Sequence, residues 1–125
     1  MLAIAPGWEL RVDRGPGWLW VKVERPEAFC VDTPPLADEI WRQLERHFVY
    51  RLVLELDDVE VLDSYLIGQI VTLDKRIREH GGLLRLTGVS PLNRQVLRTH
   101  GLDGRFCIYG DLTDALMGAC PRRPR

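Results

Sequence analysis

The sequence predicts a single α/β domain, a mixed β-sheet with an N-terminal hairpin and about four helices in the order β-β-α-β-α-β-α-β-α. Three observations predict it. Two segments near the start alternate apolar and polar residues with the two-residue period of half-buried strands. Later, short apolar runs alternate with amphipathic stretches at helical spacing, the pattern of β-α units in a parallel sheet. A chain of 125 residues, 46% hydrophobic, is long enough for one modest core.

The hairpin comes first. In "WELRVD", Trp8, Leu10 and Val12 alternate with Glu9, Arg11 and Asp13. "RGPG", Arg14 to Gly17, is turn chemistry. "WLWVKVE" places Leu19, Val21 and Val23 on one side and Trp18, Trp20, Lys22 and Glu24 on the other. Two tryptophans on the more polar side predict that this face is also partly covered.

A first helix is predicted over 33–49, "TPPLADEIWRQLERHFV", capped by Thr33 with Pro34 and Pro35 in its first turn. Its buried stripe would be Leu36, Ile40, Leu44 and either His47 or Phe48, with Trp41 beside it. "RLVLEL" reads as an inner strand. The clearest helix is "DSYLIGQIVTLDKRIREHGG", in which Leu66, Ile70, Leu73 and Ile77 share one face. Asp63 suits its positive end, Lys75, Arg76 and Arg78 its negative end, and Gly81 stops it. "LLRLTGV" is a further strand. "SPLNRQVLRTHG" starts with Ser90 as cap and Pro91 at the first helical position, and Gly101 ends it. "RFCIYG" is a last strand and "DLTDALMGA" a last helix, with Asp111 as cap. Residues 1–120 form one domain and 121–125 a basic tail.

The net charge of −1 gives no push toward nucleic acid or an anionic membrane. Arg122, Arg123 and Arg125 belong to the tail, which leaves 14 basic against 18 acidic residues, so the body is mildly acidic. Cys30, Cys107 and Cys120 lie far apart. An odd count with no secretory leader predicts reduced thiols and a cytoplasmic location. No run approaches the roughly 20 apolar residues of a membrane span.

Few patterns point to chemistry. His47, His80 and His100 are dispersed and supply no metal cluster, and His80 and His100 stand where an imidazolium favours a helix C-terminus. No GxSxG elbow surrounds Ser64 or Ser90, and neither GxxxxGK[ST] nor GxGxxG occurs. The expectation is a non-enzyme without cofactor or metal. What remains is the Asp63-Ser64 junction, where a hydroxyl sits at a helix N-terminus beyond a strand's carboxyl end. Taken alone, either residue is explained as an ordinary helix cap.

The stretch "RLVLELDDVEVLDSYLIGQIVTLDKRIREHGGLLRLTGVSPLNRQVLRTHGLDGRFCIYGDLTDAL" resembles the STAS domain, the family of anti-sigma factor antagonists. The likeness covers about residues 17–116, through "LELDDVEVLDS", "HGGLLRLTGVSP" and "LRTHGLDGRFCIYGDLTDAL" in this order. "CVDTPPLADEIWRQL" looks like the family's first loop and helix, with Asp32 where an acidic residue is usual. The resemblance implies a protein-interaction module, docking on an anti-sigma factor or serine kinase or on other STAS proteins. It also implies a hydroxyl at the start of the second helix that is phosphorylated to modulate the contact. The family's common form there is D-S-S-G-L-G, with the second hydroxyl as acceptor. This chain reads Asp63-Ser64-Tyr65-Leu66-Ile67-Gly68, so Tyr65 fills that position. Scaffold-type relatives use an Asp-Ser-aromatic-aliphatic version whose acceptor is the serine after the acid, which Ser64 matches. Ser64 is therefore the phosphorylation candidate, with Asp32, Asp63 and Tyr65 as partner-binding candidates. The alternatives are a STAS-like subunit of a lipid or ion transport complex, and an enzyme or nucleotide-binding domain on a similar layout.

Overall fold

Six strands and three helices emerge in the computed structural model, which describes residues 2–5 (as backbone), 8–15, 17–24, 35–102 and 104–109. The strands are β1 (Leu2–Ala5), β2 (Trp8–Gly15), β3 (Trp18–Glu24), β4 (Arg51–Glu55), β5 (Leu83–Thr87) and β6 (Cys107–Tyr109). The helices are α1 (Leu36–His47), α2 (Ser64–Glu79) and α3 (Pro91–Thr99). Several expectations lie outside the described residues: Thr33 as cap, Pro34, Asp32, Cys30, Cys120, the helix over 111–119 and the tail.

The strands line up in chain order, β1-β2-β3-β4-β5-β6. β1, β2 and β3 are antiparallel neighbours, and β3 to β6 run parallel. The mixed sheet with its N-terminal hairpin is the predicted class, with one strand more than predicted. β1 is four residues of uninterrupted apolar character, too short to display a period, and it joins β2 through Leu2↔Leu10 and Ala3↔Glu9.

The core lies on one face of this sheet. Leu19, Val21, Leu52, Leu54, Leu84 and Leu86 point to it and meet the buried faces of all three helices. α2 contributes Leu66, Ile70, Leu73 and Ile77, the predicted stripe. Consecutive parallel strands joined by crossovers of one hand place every crossover helix on the same side, and the shared core reflects this. The other face carries Trp18, Val53 and Tyr109, buried together, with Trp20 packed against them. The Arg85 guanidinium stands 4.5 Å from the centre of the Trp18 ring, so the tryptophans of β3 are partly covered, as their alternation predicts. Gly15 is needed here, because a Cβ on it would run into the Trp20 ring.

α1 corrects two expectations. It begins at Leu36, so Pro35 occupies the N-cap rather than the first turn, and no side chain of the N-cap serves the helix. The open N–H of Ala37 is met instead by Gln69 Oε1 of α2, at 2.8 Å. Phe48 is no part of the buried stripe. It is the C-cap, in the left-handed region at φ 54°, with its side chain 86% exposed.

Candidate functional site

The site grows from the carboxyl ends of β4 and β5. Leu56 N–H donates to the Thr87 carbonyl (2.9 Å), extending the pairing one step past β4. Gly88, at φ 71°, then lets the Asp57 carboxylate lie against the backbone where any Cβ would collide with it. The loop from 57 to 62 is anchored from inside by the buried Val59 and Leu62. Asn93 of α3, fully buried, clamps it: its Oδ1 accepts from Leu62 N–H (2.9 Å) and its Nδ2 donates to the Val59 carbonyl (2.9 Å). A buried amide with both ends engaged holds one loop conformation, because any other would strand polar groups away from water.

This fixed loop delivers the chain into α2. Asp63 is the N-cap, extended at φ −83° and ψ 173°, and its Oδ1 accepts from Leu66 N–H at 2.9 Å. Ser64 is the first helical residue and is exposed. The ambiguity between two possible caps is thus resolved: the acid caps, and the hydroxyl faces outward. Tyr65 lies off the buried stripe, 46% exposed. Asp63, Ser64 and Tyr65 follow one another at the start of α2, half-buried, exposed and exposed in turn, whereas Asp32 lies outside the described residues. α3 opens on the same side, with Ser90 Oγ accepting from Asn93 N–H (3.1 Å) and Leu92 left 54% exposed.

Acidic groups dominate the electrostatics. Asp57, Asp58 and Glu60 are exposed in the loop beside Asp63. Lys22 offsets part of this by pairing with Asp58 at 3.7 Å. Burial, with the Asp57 carboxylate adding to it and Lys22 opposing, pushes the Glu55 carboxyl above the usual carboxylate range. A phosphate on Ser64 would meet the positive end of α2 and, close by, these carboxylates.

Among the described residues, no group of three His, Cys, Asp or Glu side chains is placed to hold a metal ion. The Nδ1 atoms of His80 and His100 lie 3.0 Å and 2.9 Å from the carbonyls of Arg76 and Val96, in the helix-end roles that their positions predict. No helix of the described residues is long and apolar enough to cross a membrane.

Asn93 and Leu92 escaped the sequence reading. An asparagine three residues past a serine cap carries a purely local signal, and nothing in the pattern tells that it reaches across to another loop. Leu92 reads as one more apolar helix residue until the direction of its face is known.

Comparison with known proteins bears on this geometry. A candidate anti-sigma factor antagonist of Thermotoga maritima is 33% identical over 66 residues, which is 53% of this chain and 58% of the relative. The chain therefore spans a little over half the length of that relative. The crystal structure of an anti-sigma factor antagonist from Mycobacterium paratuberculosis superimposes with a TM-score of 0.73 at 25% identity, covering 93% of this chain and 97% of the other. RsbS of Moorella thermoacetica shares the fold, with a TM-score of 0.73 at 19% identity, over 87% of this chain and 92% of the other. The model of the STAS domain matches residues 21–115. A match over most of the chain means that the chain belongs to the STAS domain family.

Proposed function

We propose that this chain is a non-catalytic protein-interaction module in signalling, of the anti-sigma factor antagonist kind, with Ser64 as its phosphorylation switch. The observation that carries the reading is the division of labour at the start of α2. Asp63 satisfies the helix, so the exposed Ser64 hydroxyl can be modified without uncapping α2. The partner is a protein, either an anti-sigma factor with serine kinase activity or another STAS protein. The relatives named as anti-sigma factor antagonists support this class of partner. Phosphorylation adds about −1.5 to −2 charge, which beside Asp63 and Glu60 repels an acidic partner surface and makes Ser64 harder to desolvate.

A pull-down from the native host, read by mass spectrometry, reports partner and phosphosite together. Calorimetry with that partner then compares wild type, Ser64→Ala and Ser64→Asp, with thermal melts as controls. Ser64→Asp should keep the fold, because a negative charge suits a helix N-terminus, and should bind more weakly. Equal affinities across three folded variants would remove the switch.

A further inference from the structure

α3 buries a short stripe, Asn93 and Leu97, whose first member is an amide where a helix facing the core ordinarily carries an apolar side chain. Burial of an amide is favourable only when its polar ends are paired. Here both ends are paired with one loop, at the Val59 carbonyl and the Leu62 N–H. Val59 and Leu62 are themselves buried, and they bracket Glu60 and Val61, which are exposed. The loop is thus tied to α3 on both sides of its outer turn. Leu62 is followed directly by Asp63, the cap, and then by Ser64.

Two bonds from α3 therefore set where α2 begins. The cap does not set it, because the bond from Leu66 N–H to Asp63 Oδ1 lies within the start of α2 and moves with it. Nor does α3 itself call for the amide. A leucine at position 93 would extend the apolar stripe and has the higher helix propensity. What it would lose is the pair of partners that the loop has in Asn93.

We infer that Asn93 is the positioning residue of the Ser64 site, holding Ser64 where a protein partner reads it by tying the loop before α2 to the first turn of α3. This rests on the reading of Ser64 as the switch in a partner contact, and adds what keeps the switch in place. Without the amide, the Val59 carbonyl and the Leu62 N–H turn to water, and the loop and the first turn of α2 open locally. A partner must then order them as it binds, and each backbone residue ordered in that step weakens the complex by about tenfold.

Hydrogen exchange and partner affinity of Asn93→Leu test this. Val96→Ala is the control, since Val96 packs against the same core from α3 and its side chain carries no polar group. The diagnostic amides are Val59, Leu66 and Ile67, whose acceptors (the Leu56 carbonyl, Asp63 Oδ1 and the Asp63 carbonyl) the substitution leaves untouched. In Asn93→Leu they should exchange about tenfold faster or more, while β4, β5 and the later turns of α2 keep wild-type rates. Affinity for the partner recovered by pull-down should fall about tenfold or more, at a temperature where the variant is fully folded. Val96→Ala should melt below wild type, bind with wild-type affinity and leave the three amides unchanged. Wild-type exchange at these amides in Asn93→Leu would overturn the inference, as would unchanged affinity. An equal loss of affinity in Val96→Ala would also overturn it, by making Asn93 one core residue among others. Where the larger leucine prevents folding, Asn93→Ala, which cannot overpack, carries the same test. Ser64→Asp decides the switch separately. If it binds as wild type while Asn93→Leu exchanges fast and binds weakly, the switch falls and the positioning role stands, and the reverse pattern removes Asn93 alone.

Discussion

Ser64 and Asp63 are neighbours in sequence with different tasks, and stability measurements separate them. Asp63→Ala removes the acceptor for Leu66 N–H and should cost about 0.5–2 kcal/mol, whereas Ser64→Ala should leave the urea midpoint nearly unchanged. A Ser64→Ala loss as large as that of Asp63→Ala would give the hydroxyl the capping role. Glu55 carries a second prediction. Because its folded carboxyl titrates above the usual range, the folded chain holds a proton that the unfolded chain releases. That contribution is present at low pH and fades as pH rises through the raised value. Glu55→Gln should therefore melt above wild type at pH 7, and the gap should close as the pH falls to about 4. Melts across that range check it, and a gap that does not vary with pH would assign the effect to shape alone. Ser90 as a cap, and the Asp63-Ser64 pair as the place of another, were legible in sequence because capping is local. The bonds from Asn93 to Val59 and Leu62 were not, because their partners lie about thirty residues away in the chain.

The helices differ in how much of their beginnings and ends is written locally. α3 starts on the cap that sequence identifies, Ser90, and α2 on Asp63, one of the two neighbours that sequence offers for the role, and both end before glycines at positive φ. α1 starts on Pro35 and depends on Gln69, a contact that exists only once α1 and α2 have packed. Its predicted boundaries were accordingly the least accurate, extending to Phe48 and Val49 at the far end. The stripe of α2 was legible from spacing alone, and it supports a quantitative expectation. Ile70 is buried among strand residues and neighbouring helix residues, so Ile70→Ala should destabilise the chain by about 2–5 kcal/mol in urea titration. A loss under about 0.5 kcal/mol, well below that range, would mean that the packed face is misassigned.

At the scale of the whole molecule, one buried acid joins parts that the sheet alone does not. Asp74 of α2 accepts from Arg78 Nε and from Arg105 Nε, both at 3.1 Å, and so fastens the helix to the segment leading into β6. Both arginine side chains are partly in water, which lowers the cost of losing their partner below the usual figure for a fully buried pair. Asp74→Ala should then cost about 1–3 kcal/mol, with faster amide exchange confined to residues 104–109. Uniform exchange across the sheet would show that the link is not local. The arrangement of the strands has a further consequence, for how the chain comes together. Sheet order equals chain order from β1 to β6, so each strand pairs with the one made just before it. No strand must be inserted between two that have already paired, and no loop must close around a finished element. A chain leaving the ribosome can lay down the meander first and add one β-α unit at a time to a single growing edge. The β2-β3 hairpin pairs residues close in sequence and should form first, whereas each parallel step, Leu19 to Leu52 or Leu52 to Leu84, must close a longer loop and should follow more slowly.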